Sequence, residues 1–415
     1  MVLKRNAPGG WAPSFARVAL SALALAGGAL FHTAALAQWA QGGADQAKSY
    51  ANAVEKTLTR KNVAQLSQQW VVQVDGSVAS EATQANGRLF SCGYSSSLKA
   101  LAPSTGQLLW SQPLPGVGRC SAPALAGSAV YVANSDEASQ NWLSAFDQAT
   151  GQPLWNAALT PSAPNFGPEP LVAVDTQRVY VAMAFDHVAA VNRSDGSIAW
   201  QTVTDNRWSD MTDVSVGAGK VFLSGNYIYG SDWVSTLMAL DAATGAVAWS
   251  QRIGSSDPQY DVYTAPMVVG NKVYVVTAGG QLYGYDIATG ALLSSLQLHS
   301  YAFMAATHDD RMWVVSDSGD TIQAVDLVNN QVLWTRPAGR HKTYVSSNHI
   351  VWANHQLYAV VRGRGGESAL AVIRASDGRD AASIPLPGFG WHSLLSVADG
   401  RVLITAVGTV RALGL

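Results

Sequence analysis

The sequence is poor in cysteine and in charge. Its 415 residues include 2 Cys, and 13% of them are charged, with 26 Lys and Arg against 28 Asp and Glu and a formal net charge of −2. Two isolated cysteines cannot complete a zinc site of the usual four ligands, so a zinc-stabilised domain is excluded. A chain without basic excess has no strong attraction for phosphate backbones, and we expect no nucleic-acid partner.

Long hydrophobic runs are also scarce, and the one that stands out lies near the start. Three cations precede the apolar run 18–31, and Ala35 and Ala37 provide small residues before a cut after Ala37. This pattern predicts a secretory signal peptide over residues 1–37, with an uncleaved anchor as the alternative. The run is shorter than the roughly 20 residues of a membrane span. We therefore expect a periplasmic protein without a membrane span after cleavage, and no lipid anchor, since no Cys follows the cut.

Both cysteines lie in the exported part of the chain. Cys92 and Cys120 are separated by 28 positions and would meet an oxidising compartment, where a disulfide between them can form. The alternative is that they are two small buried hydrophobic side chains in strands. The residues alone leave both interpretations open.

A short motif recurs along the chain. In the copy LDAATGAVAW, Leu240 to Trp249, an Asp, a Thr-Gly pair and a Trp stand at fixed spacing, and similar segments return at intervals of about 40–50 residues. Two degenerate copies place Ser294 and Ala382 at the Trp position. The tryptophans at this position are Trp70, Trp110, Trp155, Trp200, Trp249 and Trp334. We expect each of these rings to pack one repeat against the next, far from any site at the centre.

Each repeat has the pattern of four short strands, with Asp-x-x-Thr-Gly as the turn between the third and the fourth. A four-stranded sheet at this period is typical of a propeller blade. The segment NVAQLSQQW near the start is a fourth strand without a third, and GTVRALGL at the end is a third strand without a fourth. The sequence therefore predicts an all-β, eight-bladed β-propeller of four-stranded antiparallel blades over residues 62–415, closed by pairing of its terminal strands, after a linker at 38–61.

The repeated A-x-D-x-x-T-G-x-x-x-W motif resembles that of the pyrroloquinoline-quinone-like (PQQ-like) repeat propellers, and the resemblance spans the chain from about Asn62 to Leu415. This family includes quinoprotein alcohol dehydrogenases and a non-catalytic propeller lipoprotein of the outer-membrane barrel-assembly machinery. The segment TLTRKNVAQLSQQW is similar to the start of the dehydrogenases, whereas the short blades are more similar to the assembly protein.

Chemistry favours the second branch. The resemblance implies that a dehydrogenase would carry PQQ with calcium, and adjacent cysteines whose disulfide covers the cofactor. Here Cys92 and Cys120 are far apart in sequence, and no C-x-x-C-H haem motif is present. We expect a non-catalytic monomer without cofactor or metal that binds envelope proteins through its loop face. The alternative is a reduced quinoprotein that keeps PQQ and calcium.

The loops between blades open on one face of a propeller and here are rich in aromatic residues. Such residues are suited to a ligand site or a protein interface. The candidate residues of this face are Trp208, Asp210, Tyr260, Tyr263, Tyr301, His341, Tyr344, Trp391 and His392. The alternative is that they fill the central channel and pack adjacent blades.

Overall fold

The computed structural model describes residues 38–415 with short gaps. The residues outside the description are 1–37, 75–79, 94–96, 117, 136–139, 160–170, 184–186, 205–207, 230–231, 256–257, 339–343, 348, 364, 388–392 and 407. The described residues belong to one compact unit, Ala35–Leu415.

Eight antiparallel sheets follow one another along the chain, each with four strands that we name a to d in spatial order from the hub outward. Blade 1 has Thr83–Ala85, Arg88–Cys92, Ser97–Leu101 and Leu108–Pro113; blade 2 has Ala124–Ala126, Ala129–Ser135, Asn141–Asp147 and Pro153–Leu159; blade 3 has Leu171–Val174, Arg178–Met183, His187–Asn192 and Ile198–Val203; blade 4 has Trp208–Gly217, Lys220–Tyr229, Asp232–Asp241 and Val247–Ser255.

Blade 5 has Met267–Val269, Lys272–Val276, Gln281–Asp286 and Leu292–Gln297; blade 6 has Met304–His308, Arg311–Ser316, Thr321–Asp326 and Gln331–Pro337; blade 7 has Val351–Ala353, Gln356–Arg362, Ser368–Arg374 and Asp380–Pro385; blade 8 has Leu394–Ala398, Arg401–Ala406, Thr409–Gly414 and Ser67–Gln73. Two further strands, Ala51–Asn52 and Tyr344–Val345, join blade 7. Single 3-10 turns occupy Val63–Gln65, Pro258–Tyr260 and Asp317–Gly319.

Blade 8 is built from both ends of the fold. Strand d, Ser67–Gln73, pairs antiparallel with strand c, Thr409–Gly414, with Trp70 opposite Ala412. The sheet therefore closes the ring, and the eight-bladed propeller predicted from the sequence is confirmed.

The core lies between the blades. The a strands of neighbouring blades contact each other at the hub, and strands b and c are buried almost throughout, as in Arg178–Met183 and His187–Asn192. Strand d alternates between exposed and half-buried residues, as in Leu108–Pro113. This gradient follows from the geometry of a ring, where only the outermost strand of each blade faces water along its length.

The repeated tryptophans lie in strand d and contact the following blade. The indole N–H of Trp249 donates to Ile287 O at 3.2 Å, and that of Trp200 donates to Ala242 O at 3.0 Å. The ring lies against the glycine of the next Thr-Gly turn: a Cβ at Gly290, whose φ is +73°, would stand 2.6 Å from Trp249. Since any side chain there would displace the ring, the turn requires glycine for contact as well as for backbone.

The same contacts hold the other tryptophan-bearing blades together. Each indole N–H donates to a carbonyl of the next blade, with Trp70 on Pro103, Trp110 on Gln148, Trp155 on Arg193 and Trp334 on Ala375. Blade 7 has Ala382 at this position, and there the 3-10 turn Val63–Gln65 packs against its strand d. Where blade 7 lacks the tryptophan ring, this 3-10 turn therefore packs against the outer strand instead.

The structure joins Cys92 and Cys120 in a disulfide. Cys92 ends strand b of blade 1, and Cys120 forms a bridge with Asn134 of blade 2. The bond therefore links two neighbouring blades covalently.

Most of the segment 38–61, which the sequence predicted as a linker, lies in the hub. Residues 39–58, which we call the strap, contact blades 1 to 8 in order through hydrogen bonds. Trp39 and Leu58 at its two ends are fully buried.

Candidate functional site

A cavity opens on the loop face near blades 5, 6 and 7. Its volume is about 540 Å³, within the usual range of ligand pockets. Its wall is formed by Tyr50, Tyr263, Thr264, Ala265, Met267, Phe303, Met304, Ala305, Ser318, Tyr344, Val345, Ser346, Ser347 and His349. We call it the tyrosine pocket. Aromatic and methionine side chains with a few hydroxyl groups suit an apolar anchor that also forms hydrogen bonds.

The structure brings two of the predicted face residues into this pocket, Tyr263 and Tyr344. Tyr301 is 67% exposed and lies outside the pocket wall, and Tyr260 packs against Gly254. Trp208 and Asp210 belong to strand a of blade 4, and their side chains are not described. His341, Trp391 and His392 lie outside the described residues.

The loop that carries Tyr263 is fixed by its neighbours. The Val262 N–H donates to Asn226 Oδ1 at 3.1 Å, and Val262 forms a bridge with Thr277. The Tyr263 hydroxyl donates to Asp261 Oδ2 at 3.0 Å, while 46% of the residue stays exposed. A ring presented to water from a fixed backbone loses little entropy when a partner covers it.

The opposite wall is fixed by blade 7. The strand Tyr344–Val345 pairs with Arg362 and Val361, and the Ser346 N–H donates to Val360 O at 2.8 Å. Val360 N–H in turn donates to Ser347 Oγ at 3.2 Å. Tyr344 is therefore held on a short strand rather than on a free loop.

The pocket also contains two residues that sequence reasoning missed, Tyr50 of the strap and His349. Their rings lie 4.6 Å apart between centroids. His349 Nε2 is 3.4 Å from Glu81 Oε2, and Glu81 accepts hydrogen bonds from the Trp39 indole and from Gly43 N–H. Burial raises the pKa of the Glu81 carboxyl to about 8 and raises that of the Tyr50 hydroxyl well above its usual value. Glu81 is therefore largely a neutral acid at pH 7.

A charged pair lies buried on the same segment. Lys48, which is 2% exposed, places its Nζ 3.0 Å from Asp213 Oδ1, 2.9 Å from Gly42 O and 3.3 Å from Val172 O. Three acceptors match the three N–H groups of an ammonium. Burial raises the pKa of the Asp213 carboxyl, and the Lys48 charge opposes that shift. The cluster therefore positions the strap.

The resemblance implies that the quinone cofactor of the dehydrogenases is held together with calcium. Calcium in such a site needs six to eight oxygen ligands, and within the described ranges no three His, Cys, Asp or Glu side chains come together as a metal site. The one disulfide bonds blade 1 to blade 2 rather than joining adjacent residues. No helix among the described residues is long and apolar enough to cross a membrane.

Comparison with known proteins identifies one family whose model matches most of the chain. A family model described as outer membrane protein assembly factor BamB matches residues 48–215, 205–305 and 235–403. Outer membrane protein assembly factor BamB of Escherichia coli is 26% identical over 340 residues, which are 70% of this chain and 83% of the relative. Quinohemoprotein alcohol dehydrogenase ADH IIB of Pseudomonas putida is 32% identical over 126 residues, 28% of this chain and 18% of that enzyme.

Solved structures show the same fold in both kinds of protein. BamB from Moraxella catarrhalis has a TM-score of 0.58 at 18% identity, covering 84% of this chain and 100% of that one. Quinohemoprotein alcohol dehydrogenase ADHIIG from Pseudomonas putida HK5 has a TM-score of 0.66 at 14% identity, covering 91% and 80%. At this identity the structures show the fold alone, but the family model spans most of the chain. The protein therefore belongs to the PQQ-like repeat propeller family described as outer membrane protein assembly factor BamB.

Proposed function

We propose that this protein is a non-catalytic periplasmic scaffold in outer-membrane protein assembly, and that it holds an assembly protein of the envelope at the tyrosine pocket. The tyrosine pocket is the observation that carries this proposal. It combines apolar rings with hydroxyl groups on fixed backbone, which is the composition of an interface anchor site. The match of the family model to residues 48–403 in overlapping segments supports the same proposal.

The test compares tyrosines inside and outside the pocket. Tyr263→Ala and Tyr344→Ala, singly and together, should reduce co-purification of outer-membrane assembly proteins from the same bacterium by about tenfold or more, as loss of an interface anchor does. Tyr301→Ala is the matched control, because Tyr301 is the more exposed ring yet lies outside the pocket wall. Equal loss in the pocket variants and in the Tyr301→Ala control, or no loss in any of the four, would reject the pocket as the partner site.

The second candidate is a reduced quinoprotein that binds PQQ with calcium. It is supported by the partial match to quinohemoprotein alcohol dehydrogenase ADH IIB and opposed by the side chains described above. Calorimetric titration with PQQ, with and without calcium, separates the two candidates. Saturable binding at micromolar PQQ, followed by alcohol-dependent reduction of a dye, would establish the quinoprotein and remove the scaffold proposal.

A further inference from the structure

The strap is hydrogen-bonded to all eight blades. It contributes at least one hydrogen-bonded contact to each blade, in chain order around the hub. These contacts are Trp39 N–H to Gln84 O at 2.8 Å, Leu125 N–H to Ala40 O at 2.6 Å, Val174 N–H to Gln41 Oε1 at 2.9 Å, Val216 N–H to Gln46 O at 2.7 Å, Val268 N–H to Ala47 O at 3.1 Å, Thr307 N–H to Ser49 O at 2.7 Å, Trp352 N–H to Tyr50 O at 2.9 Å and Asn52 Nδ2–H to Val397 O at 2.8 Å.

These contacts provide hydrogen-bond partners for the inner strand edges of the propeller. The a strand of each blade turns its unpaired edge toward the channel, and unpaired strand edges attract other chains. In blades 1 to 7 the strap accepts a hydrogen bond from a backbone N–H of strand a. The hub therefore forms a track of inner-strand edges that binds a peptide segment by backbone hydrogen bonds.

The strap takes its conformation from this track rather than from its own sequence. Ala44, Lys48 and Tyr50 have φ of 75°, 56° and 51°, values that non-glycine residues adopt only where surrounding contacts impose them. The only strand within the strap is Ala51–Asn52. Its anchors are side chains in sockets: the Trp39 indole on Glu81, and the Lys48 ammonium on Asp213.

The strap also forms part of the tyrosine pocket. Tyr50 belongs to the wall of the tyrosine pocket and lies against His349, while its carbonyl accepts from Trp352 N–H. Removing the strap would remove the Tyr50 part of that wall, which is the ring beside His349. The track and the pocket thus share one residue.

We propose that residues 39–58 are a detachable ligand within the chain, bound to a peptide track at the hub, and that seating this strap completes the tyrosine pocket. The recognised chemistry is a segment with turns, which carries an indole at one end and an ammonium nine positions later, received by Glu81 and Asp213. The proposal concerns the chain's own segment, so it stands or fails independently of the assembly function.

The experiment cuts the strap free after folding. A site for a specific protease is inserted between Arg60 and Lys61, both of which are exposed, and the folded full chain is then cleaved. The released segment should stay bound in buffer, leave in denaturant too weak to unfold the propeller, and be replaced saturably by a synthetic peptide of residues 38–58. Circular dichroism follows the blades throughout, and gel filtration follows the peptide.

Peptide variants test the sockets. The Lys48→Met peptide should bind at least about tenfold more weakly, because it leaves the Asp213 carboxylate buried without its partner. The Lys56→Met peptide is the control, since Lys56 is exposed and donates only to Ala53 O within the strap, and its affinity should match the native peptide. Equal affinity of the two variants would overturn the assigned socket.

Two other outcomes would overturn the proposal. A segment that leaves at once in buffer and does not rebind is a passive tail, and a segment that leaves only when the blades unfold is an integral part of the fold.

Hydrogen exchange tests the link to the pocket: exchange at 344–347 should rise when the peptide is absent, whereas strand c of blade 3, 187–192, should be unchanged. No rise at 344–347 would overturn that link.

Discussion

The substitution Lys48→Met in the intact chain tests the energetics of the strap. The Lys48 ammonium is 2% exposed and has three acceptors, of which Asp213 Oδ1 at 3.0 Å carries charge. Methionine keeps most of the volume but leaves the Asp213 carboxylate buried beside an apolar group. Breaking a buried ion pair on one side costs about 3–5 kcal/mol, so we expect a loss of that size in the free energy of unfolding.

The assay is urea unfolding at pH 7, followed by far-ultraviolet circular dichroism. Lys56→Met, the same change at an exposed position of the strap, should stay within about 0.5 kcal/mol of the native chain. Replacing both partners with Lys48→Met and Asp213→Leu should cost less than Lys48→Met alone, because no unpaired charge remains. A Lys48→Met protein as stable as the Lys56→Met control would refute the assignment of a buried, paired ammonium.

Three further predictions concern the blades and the buried acid. Trp249→Ala should lower the free energy of unfolding by about 3–5 kcal/mol, because the ring is 8% exposed and packs on the next blade. The control Leu293→Ala, at a residue that is 48% exposed, should change the free energy of unfolding little. A small effect of Trp249→Ala would contradict the assignment of this ring to the contact between blades. Replacing Cys92 and Cys120 together by Ser should cost about 3–4 kcal/mol for a loop of this length, measured by thermal unfolding, whereas an unchanged midpoint would show that the inter-blade bond adds no stability. Glu81→Gln should flatten the pH dependence of stability: the folded pKa of Glu81 is raised to about 8 from 4.5, so the contribution of this group to stability is greatest below pH 4.5 and falls by up to about 5 kcal/mol as the pH rises to 8. A stability difference between Glu81→Gln and the native chain that is the same at pH 5 and pH 8 would contradict the buried neutral acid.

The repeat pattern predicted the architecture because each blade is specified locally. An Asp that accepts from the following N–H groups, a glycine at positive φ and a Trp four positions later set one turn and one seam, as Asp241, Gly245 and Trp249 do. Counting those units gave eight blades, and the unmatched strands at the two ends gave the closure.

The pocket was predicted only in part. Tyr263 and Tyr344 were predictable because the phase of the repeat places inter-blade loops on one face. Tyr50 was not, because the strap has no periodicity and its conformation is imposed by eight blades that are distant in sequence. The available signal was a tryptophan and a tyrosine in a segment of mostly small and polar residues, which fits a linker equally well.

Photocross-linking in growing cells tests the proposed function most directly. A photoreactive residue in place of Tyr344 lies in the pocket wall, and one in place of Asp309, whose side chain is 85% exposed, lies at the turn between strands a and b of blade 6. We expect the probe at 344 to join an outer-membrane assembly protein, identified by mass spectrometry, and the probe at 309 to leave it unlinked. Cross-links to that protein from 309 but not from 344 would contradict the assignment of the tyrosine pocket as the partner site.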